Sequence, residues 1–353
     1  MTARQCASMR PARAAGLVFG ILTLAFLTVT SAQANTYGGS ATGAAITVPA
    51  TGTTVRAATG TQPIAGGGAE AALLVGDIPS SATGGVAGLS AGTMHSAIVG
   101  LDATRGEASM ENITLTISNN TITADFLMAR GTAACGPAVA GNSILTNLHI
   151  NGTTITVTGN ANQTVTLPNG TAVINEQTSS LNGTSAAITV NALHVTTTDP
   201  VTHQQLADAI LAQAAPQFDC SGSGSPNSDF GTGGGWLLAP DGIDKATFGV
   251  VGGNQPNSTT SGHVVYQDHS ATSVTFRSTQ IDTVDNLSDP CGTTIHGYGE
   301  LNGVPGTEFT VTIHDGGEPG AGNDVFNIQA GAYSNGGTLV GGNIQKHNQA
   351  CPQ

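Results

Sequence analysis

Residues 112–128 read NITLTISNNTITADFLM, and this stretch decides the fold. Ile113, Leu115 and Ile117 alternate with threonines, which places the apolar side chains on one face of an extended strand. The serine and asparagines that follow are turn-forming residues, and the apolar pattern returns over residues 122–128. The stretch therefore predicts two antiparallel strands joined by a tight turn.

The pattern continues toward the C-terminus as a predicted meander of antiparallel strands. Asn151-Gly152 lies between two apolar segments and is the strongest hairpin signal in the chain, because Asn-Gly tolerates the positive φ angles of a tight turn. Asn169-Gly170 and Asn182-Gly183 repeat the arrangement. The strands predicted around these last two turns are 164–167, 171–175 and 187–195.

The second half of the chain predicts a further series of strands, separated by glycine-rich turns at the spacing of a sandwich or barrel. They are 236–238, 246–251, 264–266, 274–278, 293–301, 309–313, 325–328 and one near Ile344. Residues 221–228, SGSGSPNS, have the composition of a flexible linker. We therefore predict an all-β protein with two antiparallel β-sandwich-like domains, 35–220 and 229–347, and a tail at 348–353.

Two segments fit more than one structure. Residues 35–110 contain strand-like pieces at 45–48 and 71–75, and they fit either a flexible tail or the first strands of the sandwich. Residues 202–215 have a helical pattern, because Thr202 and Gln205 match a capping box. Leu206, Ala209 and Ile210 would then lie on one side of that helix.

The composition supports the β prediction and excludes some partners. Charged residues are only 9%, there are 49 glycines, and the formal net charge is −13. A chain this acidic has no basic face for phosphates, which argues against nucleic acid and anionic membranes. The basic residues beyond position 34 are Arg56, Arg105, Arg130, Lys245, Arg277 and Lys346.

The first 34 residues have the features of a secretory signal peptide. Arg4, Arg10 and Arg13 precede an uncharged, mostly apolar run at 14–30, and Ala32-Gln33-Ala34 supplies the cleavage pattern. An uncleaved membrane anchor is the alternative, but the run is short for a span of about 20 residues. We expect a secreted protein, extracellular or periplasmic, with no membrane span after signal cleavage.

The cysteines point to disulfides. Cys135, Cys220, Cys291 and Cys351 remain after the signal is removed, an even number in an exported chain with three possible connectivities. The spacing lacks the CxxC pairs of a zinc site. Sequence order favours Cys135–Cys220 and Cys291–Cys351, because each pair then lies within one predicted domain.

Several segments resemble the bacterial choice-of-anchor P family and the module that commonly follows it. In the first half they are Leu148-His149-Ile150-Asn151-Gly152, residues 167–171, Asn175-Glu176-Gln177 and residues 190–195. In the second half they are residues 233–236, 245–249, 266–269, 315–320 and 341–345. The resemblance implies a closing strand at 209–215 and no established catalytic activity, so no functional residues carry over. Members carry C-terminal sorting or anchoring tails, whereas this chain ends at Cys351-Pro352-Gln353 without an apolar tail, and we expect release into the periplasm or the medium.

Gly88-Leu89-Ser90-Ala91-Gly92 matches the G-x-S-x-G pattern of a nucleophile elbow. The elbow requires a strand, a sharp turn and a helix, and this glycine- and alanine-rich neighbourhood predicts none of that context. His95 is the one candidate base within ten residues. We expect that Ser90 performs no chemistry.

Other candidate sites have simpler structural explanations. Asp315, Glu318 and Asp324 crowd one loop and could bind Ca²⁺ through carboxylate oxygens, although a tight solvated turn uses the same residue types. We expect Glu176 to make structural hydrogen bonds, with neighbouring backbone amides as partners. A metal set would draw on His263, Asp268, His269, His296 and His314, for which hydrogen-bonded structural roles are the simpler explanation. A sugar-binding face would draw on Trp236, Tyr266, Phe276, Tyr298, Phe309 and Phe326, most of which we expect in the core.

Together these features predict an exported, non-catalytic structural or interaction protein that needs no cofactor. Its partner would be an unidentified extracellular protein or a polysaccharide. The first alternative is a β module that binds carbohydrate or calcium. A serine hydrolase built around Ser90 is the third hypothesis.

We predict that the mature chain begins at Asn35, because signal peptidase cuts after small-x-small sequences. Intact-mass measurement of the exported protein should show the loss of residues 1–34. Recovery of the uncleaved chain in a membrane fraction would contradict this prediction.

Overall fold

A computed structural model describes residues 35–61, 67–220, 229–254, 260–347 and 351. The predicted signal peptide, the predicted linker at 221–228 and most of the predicted tail lie outside these residues. The described chain is all-β and antiparallel, which confirms the predicted fold class. Its helical turns are two short 3₁₀ segments, Pro49–Thr51 and Ser80–Thr83.

The strands of the first half are β1 (Thr36–Val48), β2 (Thr53–Thr61), β3 (Gly67–Leu73), β4 (Ala87–Ser90), β5 (Met94–Gly100), β6 (Ala103–Ile117), β7 (Asn120–Ala134), β8 (Ala138–Thr146), β9 (His149–Ile150), β10 (Thr153–Thr154), β11 (Gln163–Leu167), β12 (Gly170–Asn182), β13 (Ser185–Thr198) and β14 (Gln205–Asp219). Those of the second half are β15 (Asp229–Leu238), β16 (Lys245–Asn254), β17 (Thr260–Asp268), β18 (Thr275–Asn286), β19 (Gly292–Leu301), β20 (Val304–His314), β21 (Val325–Ala330), β22 (Tyr333–Thr338) and β23 (Gly341–His347).

The first half is a sandwich of two sheets. Sheet A has the order β11-β12-β13-β14-β1-β2. Sheet B has the order β10-β9-β7-β6-β5-β3, with β4 added beside β6 and β8 beside β7. Apolar side chains from both sheets form one core, which includes Ile46, Met94, Leu115, Leu127, Ile174, Val190 and Leu211. The predicted alternation is confirmed within it, since Ile113, Leu115 and Ile117 are buried and the threonines between them are exposed.

Sheet C contains all the strands of the second half, in the order β22-β21-β20-β19-β18-β17-β16-β15-β23. Phe248 of β16 stacks on Phe326 of β21 with 4.0 Å between ring centroids. These strands are five steps apart, which in a flat sheet is roughly 24 Å. The sheet is therefore rolled, so that β22 at one end lies beside β15, the strand next to the other end, and the Asn335 side chain donates to the carbonyl of Leu238 (3.0 Å).

Sheet B is covered on both faces. On β5, Met94 packs into the core shared with sheet A, whereas Ala97 and Val99 pack against Phe230 and Val251 of sheet C. Every residue of β5 is buried. The described residues accordingly belong to one compact unit. The division into two domains stays a prediction.

The two ambiguous segments both form strands. Residues 36–61 and 67–110 supply the first strands of the sandwich, and 205–219 form β14 between β13 and β1. The capping-box interpretation of Thr202 and Gln205 is wrong, because the inward side chains there alternate as in a strand, Ala207, Ala209 and Leu211. Strand β22 was not predicted, since its sequence YSNGGT has no apolar alternation.

The turn predictions are confirmed in part. Asn151 and Gly152 both adopt positive φ, at 50° and 78°, between the paired residues Ile150 and Thr153. Near Asn169-Gly170 the paired residues are Leu167 and Gly170, so Pro168 and Asn169 form the turn. Neither of these two residues has positive φ.

Both disulfides have the pairing that sequence order favours. Cys135 and Cys220 follow β7 and β14, so their bond joins sheet B to sheet A, with 5.5 Å between the Cα atoms. Cys291 and Cys351 lie before β19 and after β23, again with 5.5 Å between the Cα atoms. The entropic model assigns roughly 4 kcal/mol to closing loops of this length.

No helix in the described ranges has the length and apolar character needed to cross a lipid bilayer.

A buried hydrogen-bond network holds the unpredicted strand β22. The Tyr333 hydroxyl donates to Asp268 (2.9 Å) and lies 2.6 Å from the Tyr266 hydroxyl, which also accepts from Asn335 (2.8 Å). Asp268 and Tyr266 are fully buried. Loss of the Tyr333 hydroxyl would therefore remove the partner of Asp268 Oδ2 and one of the two partners of the Tyr266 hydroxyl, at positions that water does not reach.

We predict that Tyr333→Phe lowers the free energy of unfolding by about 1–3 kcal/mol, the desolvation penalty of buried groups left unpaired. Urea titration of the disulfide-bonded protein measures it. Tyr298→Phe is the matched control, because Tyr298 is 42% exposed, and it should change stability little. Equal effects of the two substitutions would contradict the prediction.

Candidate functional site

An open depression of about 300 Å³ lies between sheets B and C. Its walls include Arg130 and Thr132 of β7, Asn142 of β8, Glu318 of the loop before β21, and Gln345 of β23. We call it the Arg130 cleft. Arg130 and Thr132 point the same way because they are two positions apart on one strand, and Asn142 is the cross-strand neighbour of Arg130.

An ion pair closes one side of the Arg130 cleft. Both terminal nitrogens of Arg130 bind the Glu318 carboxylate, with 2.9 Å from Nη2 to Oε2. Arg130 Nε also lies 3.4 Å from Oδ1 of Asn142. Asn343 donates to Glu318 from the other side (3.3 Å). A two-pronged Arg–carboxylate pair of this kind has fixed geometry, so the wall of the cleft is preorganised.

The carboxylates of the 315–324 loop, considered as calcium ligands, bind partners within the protein. Asp324 accepts from the backbone N–H groups of Gly316 (2.9 Å) and Ile344 (2.6 Å), and burial raises its pKa to about 6. Asp315 accepts from the backbone N–H of Lys346 (2.9 Å), and burial raises its pKa as well. The two aspartates bind the loop to β23, while Glu318 turns toward Arg130. Nowhere in the described ranges do three His, Cys, Asp or Glu side chains form a possible metal-binding group.

The structure does not bring together the five residues considered as a metal set. Asp268 is the buried acceptor of Tyr333, and the Nε2 atom of His263 is buried without a partner in the described part of the chain. The other three members have separate partners: His269 with Thr247 (3.0 Å), His296 with Thr310 (2.9 Å) and His314 with Asp289 (2.8 Å).

The aromatic residues do not form a sugar-binding platform. Tyr266, Phe276, Phe309 and Phe326 fill the core of sheet C, as expected for most of the set. Trp236 and Tyr298 lie on β15 and β19, which three strands separate. The Lys245 ammonium instead lies over the Trp236 ring, 4.6 Å from the ring centroid.

Ser90 ends strand β4, and the chain runs directly into β5 at Met94. No helix follows it, so the strand–turn–helix context of a nucleophile elbow is missing. Ser90 is exposed, whereas His95 is fully buried and points at Gly249 of sheet C. The serine and its one nearby histidine therefore lie in different environments.

A sealed layer of ionisable side chains between sheets B and C was not predicted. Glu107 and Glu111 of β6 are 3% and 2% exposed, and Nδ1 of His95 lies 3.8 Å from Oε1 of Glu107. Burial raises the pKa of Glu107 to about 7 and that of Glu111 well above its usual range, and it lowers the pKa of His95 to about 3. Burial thus favours the neutral form of all three groups.

Glu176 belongs to a second unpredicted cluster, on the outer face of sheet A. It accepts from Asn191 (2.6 Å) and binds Nδ1 of His194 (2.8 Å), while Nε2 of His194 binds Asp208 (2.9 Å). The two carboxylates, Asp208 first, raise the pKa of His194 to about 9. Glu176 therefore makes hydrogen bonds as expected, although its partners are side chains and not backbone amides. Each ring nitrogen of His194 faces a different carboxylate, so the three groups do not converge on one point.

No protein-family model matches the chain, and a search of the curated proteins finds no match. Among solved structures, a "putative AttH" from Nitrosomonas europaea aligns over 88% of this chain and 92% of its own, with 9% sequence identity and a TM-score of 0.19. A TM-score this low carries no argument about fold or function.

We predict that Glu107→Gln stabilises the protein increasingly as pH rises from about 4.5 to about 7. In this pH range the Glu107 carboxyl is deprotonated in the unfolded chain but still protonated in the folded protein. The wild type therefore loses stability at roughly 1.4 kcal/mol per pH unit. Glutamine imitates the protonated acid and removes this dependence.

Urea titrations across this pH range measure the difference in the free energy of unfolding between the variant and the wild type. Glu308→Gln, which changes an exposed carboxylate on β20, is the control and should leave the profile unchanged. A Glu107→Gln difference that is constant with pH would show that the Glu107 carboxyl has an ordinary pKa.

Proposed function

We propose that this chain is an exported, non-catalytic structural or interaction protein of the extracellular space or cell surface. The observation that supports this best is the separation of its ionisable groups into two kinds. The first kind is buried: Glu107 and Glu111, whose pKa values are raised most among the carboxyl groups, are sealed between sheets B and C, where no substrate reaches them. Perturbed groups in an enzyme are expected in an open cleft.

The charged groups of the Arg130 cleft and of the Glu176 cluster are already paired. Arg130 and Glu318 neutralise each other, and Glu176, His194 and Asp208 bind one another on the face of sheet A. Both ring nitrogens of His194 are bound to carboxylates, so neither can exchange a proton with a substrate until one of these bonds opens, and the Arg130 guanidinium stays protonated. Two disulfides support a location in an oxidising compartment.

A carbohydrate-binding β module is the second candidate. The Arg130 cleft favours it, because this open depression is lined by planar polar side chains. Calcium binding in the 315–324 loop has no comparable support, since Asp315 and Asp324 already accept backbone hydrogen bonds.

We predict that the mature protein turns over no ester, peptide or glycoside substrate and that Ser90→Ala changes neither folding nor any measured activity. A nucleophilic serine needs a base within hydrogen-bond reach and oxyanion donors beside it. A fluorophosphonate probe, with a known serine hydrolase as positive control, tests this. Labelling of the wild type that is lost in Ser90→Ala would contradict the proposed function.

A further inference from the structure

We propose that the Arg130 cleft binds a neutral, hydroxyl-rich ligand of the saccharide type. This inference rests on the proposed interaction function and names the site and the ligand class. Three features carry it: the charge balance of the cleft, its unpaired polar groups and its open shape.

The charge balance selects against ions. An anion would have to displace Glu318 from Arg130, leaving that carboxylate unpaired in the same loop as Asp315 and Asp324. A cation would meet the Arg130 guanidinium. Because the pair is bound through two parallel hydrogen bonds, opening it loses more than one charge-assisted contact. A ligand without net charge leaves the pair intact.

The unpaired groups match hydroxyls. Neither the Thr132 hydroxyl nor the Gln345 amide makes a side-chain hydrogen bond within the described ranges. Asn142 uses only its oxygen, toward Arg130, so its two N–H donors remain available. The cleft therefore presents both donors and acceptors. A sugar hydroxyl both donates and accepts, so adjacent hydroxyls pair with such a mixed set.

The position and shape of the cleft suit part of a chain-like ligand. It lies between sheets B and C, and recesses between packed layers are common binding sites. Its volume of about 300 Å³ is at the small end of the range for ligand sites, and it is open to solvent. A single sugar residue fits such a space while its neighbours extend outward. None of the lining residues of the cleft is aromatic, so we expect recognition by hydrogen bonds and weak affinity for each sugar residue.

Titration calorimetry of the disulfide-bonded protein with neutral oligosaccharides, built from hexoses and from N-acetylhexosamines, tests the proposal. Sulfated and uronic-acid oligosaccharides serve as anionic comparisons. We expect saturable binding of at least one neutral probe. Asn142→Ala and Gln345→Ala should each weaken it roughly five- to tenfold, because each removes about one hydrogen bond.

Gln329→Ala is the matched control, since Gln329 is an exposed glutamine of β21 outside the cleft, and it should leave the affinity unchanged. Amide chemical shifts of the wild type provide a readout that does not depend on any variant, and the perturbed amides should cluster on β7, β8 and β23.

Several outcomes would overturn the proposal: no binding of any neutral probe, binding of anionic probes only, or neutral binding that both cleft variants retain. The last of these outcomes would refute the cleft as the binding site but would remain consistent with the proposed interaction function. Cleavage of a bound oligosaccharide would instead refute the non-catalytic function. The two proposals therefore fail in different ways.

Discussion

The covering of sheet B on both faces is the constraint on which the rest of the structure depends. The backbones of sheets B and C approach so closely that a Cβ atom at Gly234 would lie 2.2 Å from Oγ of Ser109. A Cβ at Gly249 would lie 2.7 Å from that of His95. A side chain at Gly249 would displace His95, and one at Gly234 would displace the Ser109 hydroxyl. Packing therefore favours glycine at these two positions, and the polar residues that face them on sheet B lose access to water.

The sequence predicted the strands best where only one sheet face is buried. At 113–117 the outer face is solvated, so hydrophobic alternation is visible and the prediction is confirmed. At Met94–Gly100 both faces are buried, and alternation disappears. Strand β14 shows an ambiguity of the opposite kind, because Thr202 and Gln205 imitate a helix start although β13 and β1 pair with the segment on both sides. Long-range pairing decides between such patterns, and local sequence does not contain it.

The candidate site was harder to predict for the same reason. Glu107 and Glu111 alternate with small and apolar residues along β6, which is the pattern of a solvated face, and only sheet C seals them. The acids of the 315–324 loop could not be separated from calcium ligands by sequence, since both roles need carboxylate oxygens in a tight loop. The backbone amides of Ile344 and Lys346 settle their use, and these come from a strand that begins seventeen residues after the loop ends.

The two environments of charge in this fold favour binding over catalysis. A group sealed between sheets shifts its pKa strongly but meets no ligand, whereas a group at the rim of the sheets meets ligands but is held by a partner. Arg130 and Glu318 belong to the second kind, and their pairing leaves the amides and hydroxyl beside them to make the contacts. Since amides and a hydroxyl do not titrate near neutral pH, acid–base chemistry at this surface would need a group from the ion pair and would have to break that pair first. Recognition of a neutral polar ligand requires no such step.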